Sequence, residues 1–221
     1  MQISAIIFGG IGALVETSEL QRLAFNDAFT SAHIDYQWAE ASYRDSLNDS
    51  GGAKRLATIK LSDGSRLSTD KIDEIHRRKG EYFTSRLANA KLPLRAGIAE
   101  LLKQAQSQGI VLAWATTTSR ANIEAVIKAT GGALREDMFA FLGNDTLVTH
   151  QKPDPEIYIS CLKAINLTSS QVLAIEDSPT GVVSAKAANI RTVAFPGNYH
   201  LDENFSMADQ VVHNVETVLA T

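Results

Sequence analysis

Three stretches of this chain carry residues whose types could bind a phosphate oxyanion, although taken singly Thr116 reads equally as a strand-end cap and Lys152 as a solvated loop lysine. After an apolar run from Ala5 to Phe8 the sequence reads Gly-Gly-Ile-Gly over residues 9–12. Glycines adopt backbone angles that other residues resist, so the N–H groups of Gly10, Ile11 and Gly12 are placed to form a small anion-binding nest. Thr116, in Trp-Ala-Thr-Thr-Thr-Ser (114–119), ends a second apolar run and offers a hydroxyl to a phosphate oxygen. Lys152, in Lys-Pro-Asp-Pro (152–155), offers an ammonium to the same oxygens, a charge-assisted contact in a loop shaped by Pro153 and Pro155. A third apolar run leads into Glu176-Asp177-Ser-Pro-Thr-Gly. The glycine spacing does not fit Gly-x-Gly-x-x-Gly, and the acid expected after a second strand is missing, so the loop does not read as a dinucleotide fingerprint.

The elements that must position these residues follow from the hydrophobic pattern. Short apolar runs at Ala5–Phe8, Ile110–Ala115 and Val172–Ile175 have the signature of buried parallel strands. Weaker candidates lie at Phe139–Leu142, Thr192–Phe195 and Val211–Val212. Helical patterns separate them. Gly97–Gln108 puts Ile98, Leu101, Leu102 and Ala105 on one face before Gly109, and Ser119 opens a helix that Gly131-Gly132 ends. Asp154 followed by Pro155 reads as an N-cap with proline at the first helical position. Alternating strand and helix predicts an α/β fold, a Rossmann-like doubly wound parallel sheet. Residues 16–92 break the alternation and read as helices throughout, roughly Ser18–Ala32, Trp38–Asp49, Ala53–Leu61 and Thr69–Ala90. The expected division is therefore an α/β core of residues 1–15 and 93–221 with an inserted helical cap domain of residues 16–92.

The rest of the composition narrows the classes. At 221 residues, with a net charge of −4, the chain has no electrostatic reason to bind nucleic acid or an anionic membrane. A single cysteine, Cys161, excludes an intrachain disulfide and fits a reducing, cytoplasmic setting. Its apolar neighbours mark it as a buried, inert thiol. His76, His150, His200 and His213 show no metal-ligand spacing, and most of them read as surface residues.

The ordered set of motifs resembles the haloacid dehalogenase superfamily of phosphatases and phosphomutases, whose first motif is Phe-Asp-x-Asp-Gly-x-Leu. Phe8, Gly12 and Leu14 match it. Glu19 to Asn26, Tyr43-Arg44-Asp45, Ser50-Gly51-Gly52, Leu94 to Leu101 and Ala115 to Ser119 are similar to the CbbY-type branch, sugar-bisphosphate phosphatases related to β-phosphoglucomutase. Gln21 stands where that branch usually has histidine, Ala53 where lysine is frequent, and Ala96 where proline is usual.

The resemblance implies a mechanism this chain lacks. In an intact member the first aspartate attacks phosphorus and the second, two residues on, protonates the leaving oxygen and activates water. Gly9 and Ile11 stand at those positions, so no catalytic residue is intact, and Glu16 lies past the turn. The resemblance assigns phosphate binding to Gly10, Ile11, Gly12, Thr116 and Lys152, and a vestigial metal position to Asp177 with Glu176 behind it. Intact members would hold Mg2+ on the nucleophile, on the carbonyl at position 11 and on the acid at 177. Here Glu176, Asp177 and Lys152 leave one net negative charge without a metal. The expected resting state therefore pairs Lys152 with the acids and needs no cofactor. The favoured expectation is a pseudo-phosphatase that binds phosphate or a small phosphorylated metabolite. The alternatives are an active Mg2+-dependent sugar-phosphate phosphatase with a rerouted mechanism, and a non-catalytic interaction protein.

Overall fold

A computed structural model describes residues 3–47 and 51–219 of the chain. It divides into two compact units, Met1–Glu16 with Lys91–Thr221, and Thr17–Ala90.

The first unit is built on a parallel sheet of six strands. These are β1 (Ala5–Phe8), β2 (Val111–Trp114), β3 (Phe141–Leu142), β4 (Val172–Glu176), β5 (Arg191–Ala194) and β6 (Gln210–Val211), in the spatial order β3-β2-β1-β4-β5-β6. β1 is central. Its four residues are fully buried, which is why this strand reads as an unbroken apolar run rather than an alternating one. The register pairs Phe8 with Trp114 on one side and with Ile175 on the other. The chain therefore leaves all three strands at one edge, and the three chemistry-bearing loops begin there side by side. The crossover helices are α5 (Ile98–Ser107), α6 (Arg120–Ala129), α7 (Glu156–Ile165) and α8 (Pro179–Ala187). Ile157, Tyr158 and Cys161 of α7 and Ala185 of α8 pack with Ala5, Ile7, Ala113, Val172 and Ala174 in one core cluster. The alternate strand residues Ile6, Phe8 and Trp114 point to the opposite face, where the Phe139 ring meets Phe8 at 6.5 Å and Trp114 at 5.7 Å.

The second unit is helical: α1 (Ser18–Ser31), α2 (Glu40–Ser46), α3 (Gly52–Thr58) and α4 (Thr69–Ala88). α1 packs against α4, and Phe25, Phe29, Trp38 and Tyr43 interlock edge to face. Each such buried ring contributes about 1.5–3 kcal/mol relative to an exposed one. Ser68 caps α4 by accepting from the Lys71 N–H.

Several boundaries differ from the sequence reading. α2 starts at Glu40 rather than Trp38, because Arg22 and Asn26 of α1 hold the Trp38 backbone in an extended loop. Its expected end at Asp49 lies outside the described residues, as does Ser50. α7 begins at Glu156, with Pro155 at its N-cap and Asp154 accepting the Glu156 N–H at 2.9 Å. Gly109, Gly131 and Gly132 follow their helices with positive φ, as C-terminal stops require. Val15 and Leu94 form an isolated antiparallel bridge. Among the described residues, no helix is long and apolar enough to cross a membrane.

Candidate active site

The site lies at the carboxyl-terminal edge of β1, β2 and β4. Glu176, the last residue of β4, is fully buried, and its Oε1 accepts from Lys152 Nζ at 2.6 Å and from Tyr158 Oη at 2.5 Å. Lys152 is itself buried, with Nζ 5.0 Å from the centre of the Tyr158 ring. Burial and the neighbouring Glu176 charge together hold the Tyr158 hydroxyl well above its ordinary range, so it remains a donor. Among the described residues Glu176 Oε2 has no hydrogen-bond partner, and it is sealed from solvent. An orphaned buried carboxylate oxygen is costly, so this arrangement is bought by the ion pair on the other oxygen.

The glycines explain where the two acids sit. A Cβ built on Gly9 would overlap the Glu176 carboxylate, and so would one built on Gly181. A Cβ on Gly12 would overlap the carboxylate of Asp177, and one on Gly10 would fall 2.5 Å from Asp177 Oδ1. The carboxylate of Glu176 thus occupies space that a side chain at position 9 would need. Residues 11–13 form a short 3-10 turn. Among the described residues, the N–H groups of Gly10, Ile11 and Gly12 take no acceptor. Thr116, buried at the end of β2, accepts from the Thr118 N–H at 3.2 Å and keeps its hydroxyl proton free to donate.

The Asp177 carboxylate accepts no hydrogen bond among the described residues, and burial, then the Glu176 charge, raises its pKa against the pull of His200, Arg95 and Lys152. Magnesium requires hard oxygens in octahedral array. The set here does not supply them. Gly9 has no side chain, and the Ile11 carbonyl accepts from the N–H groups of Leu14 and Val15, both at 3.0 Å. Glu176 is held by Lys152 and Tyr158, which leaves Asp177 as the one available carboxylate. The carbonyl at position 11, expected as a metal donor, is spent inside the turn. Glu16 is also engaged, its Oε2 accepting the Asn198 N–H at 2.7 Å.

Two histidine expectations need correction. His200 is buried rather than superficial, with Nδ1 3.0 Å from Glu203 Oε1. Burial works against its charge, but the Glu203, Asp177 and Glu16 carboxylates outweigh it and raise its pKa. His150 groups with Asp154 and Glu156, their ligand atoms all within 4.8 Å. Glu156 there accepts the N–H groups of Thr149 and His150, a clasp across an exposed loop. Arg95 was not singled out from sequence. It donates to the carbonyls of Gly12, Phe195 and Pro196, tying the glycine loop to the segment after β5. Cys161 is buried as expected, and burial pushes its thiol up to about 12.

A parallel sheet with acids, lysine and threonine at one edge defines a phosphatase-like α/β protein. The sequence description of haloacid dehalogenase-like hydrolases matches residues 6–195, and the chain belongs to that family. It is 37% identical over 209 residues to the protein CbbY of Rhodobacter capsulatus, covering 95% of this chain and 92% of that one. The crystal structure of CbbY from Rhodobacter sphaeroides in complex with phosphate superposes with a TM-score of 0.89 at 35% identity, covering 98% of this chain and 96% of that one. A mutant of the same protein, in complex with xylulose-1,5-bisphosphate, gives a TM-score of 0.88 at 36% identity, covering 97% and 96%. Phosphatases of this family generally depend on Mg2+.

Proposed function

We propose that this chain is a catalytically silent member of its family that retains an anion-binding pocket for phosphate or a small phosphorylated metabolite. The observation that carries the reading is the state of position 9. It offers no nucleophile, and the Glu176 carboxylate fills the space beside it while paired with Lys152. Covalent phosphoryl transfer needs a carboxylate aimed at phosphorus and an acid for the leaving oxygen. Neither Gly9 nor Ile11 supplies one. Losing both removes the mechanism, because groups that act as a unit are not replaced singly.

The pocket keeps the donors that recognise the phosphoryl oxygens: Lys152, the Thr116 hydroxyl and the N–H groups of Gly10, Ile11 and Gly12. In this reading no metal is required, and Asp177 is a vestigial ligand position. The Thr17–Ala90 unit acts as a cap, inserted between β1 and β2. Phosphate and xylulose-1,5-bisphosphate are ligands of CbbY, and they support a phosphorylated small molecule as the class bound here. The lone buried thiol fits a reducing, cytoplasmic setting. The test is steady-state phosphate release from a panel of sugar phosphates in Mg2+. Release at the buffer rate is expected. Turnover on the order of 1 s⁻¹, ordinary for an enzyme, that disappears in Lys152→Ala would overturn the reading in favour of a rerouted phosphatase.

A further inference from the structure

We infer that Glu176 is a built-in competitor for the phosphate pocket, a carboxylate that holds Lys152 in place of the oxyanion the lysine would otherwise bind. The inference rests on the reading of this edge as an anion site and adds how access to it is controlled. Glu176 occupies this position because two glycines make room for it. Gly9 lies at the end of β1 and Gly181 in α8, and a Cβ on either would displace the carboxylate. Tyr158 Oη and Lys152 Nζ then converge on a single oxygen, Oε1. Lys152 is buried, so its ammonium must have an anionic partner or bear the cost of desolvation. Glu176 is the partner it has.

The pairing is incomplete in a way that leaves room for exchange. Among the described residues Oε2 has no donor, so half of the carboxylate is desolvated without a compensating hydrogen bond. A tetrahedral oxyanion arriving at Lys152 could also take the Thr116 hydroxyl and the unused N–H groups of the glycine loop. To do so it must first separate Lys152 from Glu176. Phosphate affinity is therefore set by the strength of an internal ion pair, and the pair is strong only while position 9 has no side chain.

Two substitutions release the lysine by different routes. Glu176→Gln keeps the shape and removes the charge, leaving Lys152 without an anion. Gly9→Ala keeps the charge and drives the carboxylate out of its seat; Gly9 does not have a positive φ, so the backbone accepts alanine. Inorganic phosphate is the probe, with sodium chloride matched for ionic strength, read by thermal shift and by calorimetry. Both variants should bind phosphate at least about tenfold more tightly than the parent and gain a phosphate-dependent rise in Tm. Adding Lys152→Met to Glu176→Gln should abolish the gain. Equal phosphate responses in the parent and both variants would overturn the inference, since Glu176 would not then compete. So would the absence of binding in all three. Neither result bears on catalytic silence, which the turnover assay decides separately. If Gly9→Ala fails to fold, Glu176→Gln alone still decides the question.

Discussion

Among the described residues two lysines are buried, one in each unit, and they are accommodated in opposite ways. Lys152 meets the carboxylate of Glu176 at 2.6 Å. Lys79, in α4 of the helical unit, meets only the neutral amide of Gln21 at 2.6 Å and the faces of Phe25 and Phe83 at 5.1 and 5.0 Å. Burial, followed by the charge of Arg55, lowers the Lys79 pKa to about 7. A ring face stabilises a cation by only about 1–2 kcal/mol, less than desolvation costs it. The contrast teaches that two equally buried lysines can be given different partners, a carboxylate for one and only neutral groups for the other. In the first unit that partner is an acid which, in an intact relative, would help to serve a metal.

The comparison breaks most visibly if Lys152 is removed. Lys152→Ala would leave Glu176 fully buried without a counter-charge, a loss of about 3–5 kcal/mol. Lys152→Met with Glu176→Leu should recover most of it, because replacing both partners removes the desolvation cost. The chain has two tryptophans, so urea unfolding followed by Trp114 reports the first unit and by Trp38 the second. A loss below about 1 kcal/mol, the size of an exposed ion pair, would mean that the pair carries no buried charge.

Lys79 supplies the opposite signature, in pH. Its folded pKa of about 7 lies below the ordinary 10.5, so between those values the unfolded chain holds more protons. Stability of the helical unit should therefore rise with pH, by up to about 1.4 kcal/mol per unit between pH 7 and 9. Lys79→Met should flatten the Trp38 profile in that window. An unchanged slope in Lys79→Met would show that Lys79 is charged despite its burial.

Tyr158→Phe sharpens the comparison on a finer scale. It removes one donor from Glu176 Oε1 and leaves the lysine, a loss of about 1.5–3 kcal/mol for a hydrogen bond to a charged group. Smallest of all is Arg77→Ala in α4. Both Arg77 and Glu81 are about two-thirds exposed, so breaking their ion pair should cost less than about 0.5 kcal/mol in the same titration.

How much of this was legible in the sequence depended on how local the cause is. β1 was readable to the residue, because full burial makes its apolar run continuous. The helix stops at Gly109 and Gly131 were readable too, since positive φ is a local demand. The start of α2 was not, because it is fixed by side chains of α1 more than ten residues away. α8 was missed although its signal was present: Ser178 accepts the Gly181 N–H at 3.2 Å with Pro179 at the first turn. At the site, the pairing of Lys152 with an acid was open to sequence reasoning. The seat of Glu176 was not, because it exists only once the fold brings Gly9 and Gly181 together. The burial of His200 likewise depends on a loop after β5 that carries no periodic signal.

The central claim is that a lysine, rather than a metal, answers the acids of this site. Calorimetric titration of the protein with Mg2+ tests it most directly, with Asp177→Asn and the Gly9→Asp/Ile11→Asp double variant beside it. The account predicts no saturable Mg2+ binding to the parent chain at millimolar concentration, and a one-site isotherm once the two aspartates are restored. A one-site isotherm in the parent that vanishes in Asp177→Asn would contradict it.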